Sequence, residues 1–157
     1  MKNFDIDRWM EDYITKITSV FGERIRFIGL QGSYARGEAH ENSDIDVVMI
    51  LDKLDYADIK AYDEAVSELP ARDRLCGFLA GEDELRSWER SDLFQFYHDT
   101  RPLYGSIDWM EELLTREDIR RAIRFGACNL YHMCIHNALH GKREDDVNGL
   151  YKSAVFT

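Results

Sequence analysis

The segment from Gly32 to Asp46 constrains the fold of this chain more than any other part of the sequence. It reads G-S-Y-A-R-G-E-A-H-E-N-S-D-I-D, and an apolar run at 47–51 follows directly. Such a run predicts a buried β-strand and argues against a solvated strand end. Because side chains alternate between the faces of a strand, Asp44 and Asp46 leave the same face, with Cα atoms about 6–7 Å apart. Two carboxylates in this arrangement can converge on a divalent cation, which prefers oxygen ligands.

A turn suited to phosphate binding precedes the carboxylates. Residues 25–30 predict a buried strand, and Gly32 and Ser33 then open a short helical turn that runs to Arg36. The first backbone N–H groups of such a turn have no partner within it, and glycine allows a phosphate to approach closely. A phosphate turn beside two metal-binding carboxylates is the minimum set of groups for metal-assisted phosphoryl or nucleotidyl transfer.

The pattern G-S-x-A-R-G, followed a few residues later by S-D-I-D and apolar residues, resembles the DNA polymerase β-type nucleotidyltransferase superfamily. The likeness is to its small bacterial members, the minimal and the antibiotic nucleotidyltransferases, and it covers about residues 24–51. This resemblance implies that Asp44 and Asp46 are catalytic and hold two Mg²⁺ ions. It also implies that Gly32 and Ser33 bind the β- and γ-phosphates of a nucleoside triphosphate donor.

The same resemblance implies a reaction and a fold. The reaction is the transfer of a nucleoside monophosphate, most simply AMP from ATP, to a hydroxyl of a small molecule or a protein. Nothing in the sequence fixes ATP over the other nucleoside triphosphates. The fold is α/β (α+β), with a small mixed β-sheet core, helices on one side of the sheet, and a helical part that supplies the acceptor site or a dimer contact.

Two further residues of the segment have more than one predicted role. Arg36 could contact a phosphate of the nucleotide, or it could form a salt bridge with Glu38 or Glu41. Ser43 is a candidate for the nucleotide site, although its place directly before Asp44 favours a turn or cap residue that orients the carboxylate.

The third carboxylate that the resembling family generally uses has no obvious position in this chain. Family members carry it on a strand after the D-x-D strand, where it faces the same metal ions and acts as the general base. Here that strand is predicted at 75–80, and it reads L-C-G-F-L-A without an acid. The nearby candidates are Asp73, Glu82, Asp83 and Asp99. We favour Asp99, because it lies between the aromatic stretch 94–97 and a predicted strand, which could hold it near the sheet.

Hydrophobic periodicity predicts strands and helices in alternation, followed by a helical C-terminal third. The predicted strands are 25–30, 44–51, 75–80 and 101–104, and the predicted helices are 6–21, 56–69, 82–90, 93–97, 115–140 and 145–157. This order predicts an α/β core at 1–105 and a helical segment at 106–157. The resemblance implies that the core is a nucleotidyltransferase core. The sequence ends on A-V-F-T without a capping signal, which leaves open a longer natural protein or a helix shared with a partner.

Composition narrows the expected partners. The chain carries 30 acidic and 20 basic residues, for a formal net charge of −10. Because Lys and Arg supply most of the affinity for nucleic acid phosphates, this balance argues against stable binding of DNA or RNA. A cationic small molecule or a protein is the expected acceptor. Three cysteines without a C-x-x-C spacing, and no apolar signal or membrane-spanning run, predict a reduced cytoplasmic protein without membrane association.

Four residues of metal-binding types repeat every four positions along the predicted helix 115–140: Cys128, His132, His136 and His140. This spacing places them on one face, as metal sites on helices require. Four ligands along one helix cannot all reach a single ion, however. A packed or interfacial stripe is therefore the favoured interpretation.

Two other functions remain open from the sequence. One is a non-catalytic nucleotide- or protein-binding module, such as the antitoxin-like partner of a helical toxin, which the acid-free third strand and the apolar C-terminus favour. The other is a structural dimerising domain in which the aspartate pair no longer functions. The apolar C-terminus also favours a homodimer.

Overall fold

The computed structural model describes residues 4–155, and its centre is a four-stranded mixed sheet. The strands are β1 (Ile25–Leu30), β2 (Ile45–Leu51), β3 (Leu75–Gly81) and β4 (Arg101–Gly105). They lie in the order β3-β2-β1-β4. β1 is antiparallel to both β2 and β4, whereas β3 is parallel to β2. The prediction of a small mixed sheet with flanking helices is confirmed.

Eight α-helices surround the sheet in the described part of the chain. They are α1 (Ile6–Phe21), α2 (Gly32–Arg36), α3 (Tyr56–Ser67), α4 (Glu82–Arg86), α5 (Arg90–Asp99), α6 (Trp109–Leu113), α7 (Arg116–His136) and α8 (Asp145–Val155). A single π-helical turn, Asn137–Gly141, extends α7. The sequence predicted one helix at 82–90, but α4 already ends at Arg86. It also missed α6, whose five residues are too few to show a helical period. The end of the last predicted helix, 156–157, lies outside the described residues.

Capping residues set where the long helices begin. Asp5 accepts the backbone N–H of Arg8 at the start of α1. Asp55 and Thr115 form capping boxes with Asp58 and Asp118 at the starts of α3 and α7. Such side chains satisfy N–H groups that have no partner within the helix.

Helices cover both faces of the sheet, so the one-sided arrangement that the resemblance implied is wrong for this chain. One face packs against α1 and α3, through a buried cluster to which β2 contributes Ile45, Val47, Met49 and Leu51. The other face packs against α4, α5 and α6, through a cluster to which β2 contributes Val48 and Ile50. β2 is therefore buried on both faces, which explains why its sequence is a continuous apolar run.

The C-terminal helices α7 and α8 lie largely outside these clusters. On α7 the buried residue is the capping Asp118. Large apolar side chains on this part of the chain are exposed: Ile123, Phe125, Tyr131, Met133, Ile135, Leu139, Val147, Tyr151 and Val155. The boundary at residue 105 stays a prediction, although Ile107 and Met110 are buried against the sheet. Within residues 4–155, no helix is both long enough and apolar enough to cross a membrane.

An ion-paired cluster joins the ends of three elements away from the aspartate pair. Arg24, before β1, donates to both carboxylate oxygens of Asp58, with nitrogen–oxygen distances of 2.6 and 2.9 Å. Arg24 also donates to Asp52, just after β2, at 3.1 Å. The hydrogen bonds from Arg24 hold the pKa of Asp58 below its ordinary value, although partial burial of the carboxyl acts in the opposite direction.

We expect the Asp58→Asn substitution to lower the midpoint of thermal unfolding at pH 7 by about 3 °C. Because folding lowers the pKa of Asp58, its carboxylate stabilises the fold above the unfolded-chain pKa of about 3.9. This contribution is lost as the pH falls through the lower pKa of the folded protein. The difference between variant and wild type should therefore shrink below about pH 4. Thermal unfolding of both proteins from pH 7 to pH 3 measures it.

The matched control is Asp12→Asn, which removes an exposed carboxylate of α1. It should leave the unfolding midpoint almost unchanged at every pH. A difference between Asp58→Asn and wild type that stays constant down to pH 3 would show that Asp58 acts through packing and not through its charge.

Candidate active site

The sheet directs the aspartate pair toward the end of α5. Val48 and Ile50 of β2 belong to the same buried cluster as Leu93 of α5, so their side chains lie on the face of the sheet that α5 covers. Asp46 precedes them in the same alternation, so its side chain points to that face as well. Asp44 lies one residue before β2 and extends the alternation by one step. It is exposed, whereas Asp46 is half-buried.

The glycine turn lies directly against Asp46. The backbone N–H of Gln31 donates to the carbonyl oxygen of Asp46 at 2.8 Å. Gly32 then adopts a φ of +65°, and a Cβ atom at this position would lie 2.0 Å from Oδ2 of Asp46. Both the left-handed backbone and the close approach require glycine here. The turn and the Asp46 carboxylate are thus parts of one site.

A cavity of about 420 Å³ opens between the turn, the start of β2 and the end of α5. Its lining includes all of the site residues proposed from the sequence: Gly32, Ser33, Arg36, Ser43, Asp44, Asp46 and Asp99. Gln31, His40, Asn42 and Lys152 complete the lining. Residues from distant parts of the chain therefore meet at one concave, polar surface, as small-molecule sites do.

Asp99 reaches this cavity because the end of α5 is tied to the glycine turn. α5 ends at Asp99, and Arg101 at the start of β4 pairs with Leu30 at the end of β1. Between them, the buried Thr100 accepts a hydrogen bond at 2.8 Å from the side-chain amide of Gln31. Asp99 is therefore held beside the residues that follow β1, on the face to which Asp46 points.

The other candidates for the third carboxylate lie elsewhere. In the parallel pairing of β3 with β2, Cys76 lies opposite Asp46, so the strand beside the aspartate pair indeed offers no acid. Glu82 and Asp83 begin α4 at the opposite end of β3, about 20 Å along the strand. Asp73 lies in the turn before β3 and does not line the cavity.

Arg74 links the glycine turn to the residue that precedes the aspartate pair. Its guanidinium donates to the carbonyl oxygen of Ser43 at 3.1 Å through Nε and at 2.8 Å through Nη2. It also donates to the hydroxyl of Tyr34 on α2 and lies 4.6 Å from the ring centroid of Phe4. Since Ser43 directly precedes Asp44, this one side chain fixes the glycine turn relative to the aspartate pair.

The two residues with alternative predicted roles make local contacts. Arg36 pairs with Glu38, with Nε and Oε2 2.9 Å apart, which was one of its predicted alternatives. The hydroxyl of Ser43 accepts the backbone N–H of His40 at 2.9 Å, and the N–H of Ser43 donates back to the carbonyl of His40 at 3.0 Å. Ser43 therefore makes the contacts of a turn residue. Nucleotide contacts by Arg36 and Ser43 remain predictions.

The aspartates are suitable ligands for a divalent cation. Within residues 4–155, the side chains of Asp44 and Asp46 form no ion pair and accept no hydrogen bond, although both line the cavity. Unpaired carboxylate oxygens are the donors that Mg²⁺ prefers. In the same residues, no three His, Cys, Asp or Glu side chains are gathered as a ready-made metal site.

The histidine stripe of α7 does not form such a site either. The imidazole centroids of His132 and His136 are 6.2 Å apart, and those of His136 and His140 are 5.2 Å apart. All three side chains are exposed. The rings contact one another edge to face along the helix, and His132 and His136 line a cavity with residues of α8. The packed or interfacial stripe stays a prediction.

Sequence reasoning missed Gln31, Arg74 and Lys152, among other residues that shape the site. Gln31 had a usable signal, because a polar residue between a buried strand and a glycine turn has few roles other than to bind the neighbouring backbone. Lys152 had none: it lies in α8, far along the chain from every other lining residue. Only packing of the C-terminal helix brings it to the cavity.

Comparison with known proteins identifies the family. The family model described as "Nucleotidyltransferase domain" matches residues 14–119, about two thirds of the chain. The chain belongs to the nucleotidyltransferase domain family. The match includes the glycine turn, the aspartate pair and Asp99. Among curated proteins, none matches the chain significantly.

Several solved structures are similar to the chain. Spectinomycin adenyltransferase AAD(9) from Enterococcus faecialis, solved with ATP and spectinomycin, has a TM-score of 0.55 at 14% identity, covering 90% of this chain and 71% of that one. A toxin–antitoxin structure with AMP-PNP has a TM-score of 0.45 at 21% identity, covering 84% and 95%. A tri-AMPylated Shewanella oneidensis HEPN toxin in complex with MNT antitoxin has a TM-score of 0.42 at 18% identity, covering 87% and 96%.

We expect Gly32→Ala to abolish nucleotide binding, because its methyl group would occupy the space of the Asp46 carboxylate. The backbone strain of placing alanine at positive φ costs about 1–2 kcal/mol in addition. Calorimetric titration with Mg²⁺ and ATP measures the loss of binding, and thermal unfolding measures the strain.

Gly37→Ala is the matched control. Gly37 has a φ of +71°, but a Cβ atom there would meet nothing within 4 Å. This variant should show a similar loss of stability and keep its nucleotide affinity. Equal loss of affinity in both variants would mean that backbone strain, and not the contact with Asp46, explains the effect.

Proposed function

We propose that the protein transfers a nucleoside monophosphate, in the first instance AMP from ATP, to a hydroxyl of a small molecule or a protein. One observation carries this proposal: the glycine turn, the two aspartates and a third carboxylate line a single cavity. The family supports transfer of a nucleotide in general. The name of the fold relative, an adenyltransferase solved with ATP, supports ATP as donor.

The donor site is formed by the turn and the aspartate pair. The backbone N–H groups that follow Gly32 and the hydroxyl of Ser33 are positioned to bind phosphate oxygens. Asp44 and Asp46 would hold Mg²⁺, as two ions if the family pattern applies. When bound, Mg²⁺ offsets the negative charge of the triphosphate and lowers the pKa of the acceptor hydroxyl.

A second cavity, of about 380 Å³, adjoins the first and shares Asp99 with it. Its apolar lining comprises Phe94, Ile123, Phe125 and Val155 from α5, α7 and α8. Its polar lining includes Asp92, Gln95, His98 and Asn129. This size and mixture suit a small acceptor or one protein side chain, and two carboxylates in the lining favour a cationic one.

The shared position of Asp99 supports its role as general base. The acceptor oxygen forms a bond to the α-phosphorus while the bond from that phosphorus to the β-bridging oxygen breaks. The proton of the acceptor hydroxyl passes to the Asp99 carboxylate, and pyrophosphate leaves. A base between donor and acceptor cavities can reach this proton at the moment of transfer.

A second candidate function is a partner-binding module on the same fold. The exposed apolar side chains of α7 and α8 favour it, since large apolar patches mark interaction surfaces. The same surface would serve a homodimer. This alternative predicts partner binding without pyrophosphate release in the presence of any acceptor.

The proposed setting is the cytoplasm. Cys76, Cys128 and Cys134 are all exposed free thiols, which fits a reducing compartment. The net charge of −10 supports an acceptor other than DNA or RNA.

We expect the double substitution Asp44→Asn and Asp46→Asn to abolish magnesium-dependent binding of nucleoside triphosphates, because neutral amides are poor Mg²⁺ ligands. Calorimetric titration of ATP, GTP, CTP and UTP, with and without Mg²⁺, tests this and ranks the donors. Unchanged magnesium-dependent affinity in the double variant would contradict the proposed site.

We expect Asp99→Asn to retain magnesium-dependent ATP binding and to lower turnover by about 10²–10⁴-fold, the usual contribution of a general base. Pyrophosphate release, with an acceptor identified by screening the wild type, measures turnover. Asp83→Asn removes an acid at the far end of β3 and should retain full turnover. Similar rates for both variants would assign the base to another group.

A further inference from the structure

The last described helix, α8, borders the candidate active site. Lys152 lines the first cavity together with Ser33, Asp46 and Asp99. Val155, three positions further on, lines the second cavity. Because residues three apart lie on the same side of a helix, one side of α8 faces both cavities.

The neighbouring side of α8 is docked on α7. A stripe at three- and four-residue steps, Asp146, Gly149, Leu150 and Ser153, lines a cavity with His132 and His136 of α7. The orientation of α8 about its axis is therefore set by α7. Lys152 lies next to this stripe, on the side that the docking leaves facing the active site.

Lys152 places a positive charge at the mouth of an acidic cavity. Among residues 4–155, its ammonium group forms no ion pair or hydrogen bond. Three carboxylates line the same cavity, and its other strongly basic side chain, Arg36, is paired with Glu38 at 2.9 Å. An exposed ammonium on a flexible stem can follow a charged ligand without loss of packing.

We propose that Lys152 binds the β- and γ-phosphates of the donor nucleotide, so that α8 completes the triphosphate site. This inference rests on the proposed function. The triphosphate has to enter a cavity that already holds three carboxylates, and a positive charge supplied by α8 reduces this repulsion. The same ammonium stays with the pyrophosphate when its bond to the α-phosphorus breaks.

The test compares ligands that differ only in their phosphates. Calorimetric titrations of the full chain with Mg²⁺ use ATP, AMP and inorganic tripolyphosphate. Lys152→Ala should weaken binding of ATP and tripolyphosphate about tenfold or more, the usual effect of losing a charge-assisted hydrogen bond. Its affinity for AMP should not change, because AMP lacks the β- and γ-phosphates. Lys152→Arg should keep the wild-type affinities within about threefold.

Lys60→Ala, which removes an exposed lysine of α3, is the charge-matched control and should bind all three ligands like the wild type. Wild-type affinity of Lys152→Ala for ATP would overturn the inference, and so would an equal loss for ATP and AMP, which indicates a general disturbance of the site. Both outcomes would leave the proposed function intact. If the wild type bound no triphosphate, the inference and the proposed function would both fail.

Discussion

The contact between the glycine turn and Asp46 is the constraint on which the candidate active site depends. Gly32 lies so close to the Asp46 carboxylate that a Cβ atom would be 2.0 Å from Oδ2. A phosphate held by the turn is then necessarily beside a group that can ligate its counter-ion. The hydrogen bond from the Gln31 N–H to the Asp46 carbonyl oxygen holds the turn against β2. Because this bond joins backbone atoms, the side chain of Asp46 stays available to bind a ligand.

Because the sheet is buried on both faces, the direction in which the Asp44 and Asp46 side chains point is fixed. Because β2 packs against α1 and α3 on one face and against α5 on the other, a slip by one residue would turn the Asp46 carboxylate into the apolar cluster beneath α1 and α3, where burying an unpaired charge is costly. The side chains of Asp44 and Asp46 therefore lie on the face of the sheet that α5 covers, and Asp99 is the last residue of α5. Polar contacts from Gln31 and Arg74 then hold the turn, the aspartate pair and the end of α5 together.

This arrangement shows how a third carboxylate can reach the cavity although β3 carries no acid. β3 runs parallel to β2 and brings Cys76, not a carboxylate, beside Asp46. At the opposite edge of the sheet, the pairing of β4 with β1 brings the end of α5 to the glycine turn. A carboxylate can therefore reach the cavity from a helix end. Its position between the two cavities fits a base that serves both donor and acceptor.

The strands, the long helices, the glycine turn and the aspartate pair could be predicted from the sequence alone, because they depend on periodicity and on contacts between near neighbours. It favoured Asp99 among four acids but could not decide between them, since the pairing of β4 with β1 determines which acid reaches the cavity. Three features follow only from the tertiary structure: helices pack on both faces of the sheet, Arg74 links the glycine turn to Ser43, and Lys152 lines the cavity. Each depends on packing between segments far apart in the chain, for which a single sequence holds no local signal.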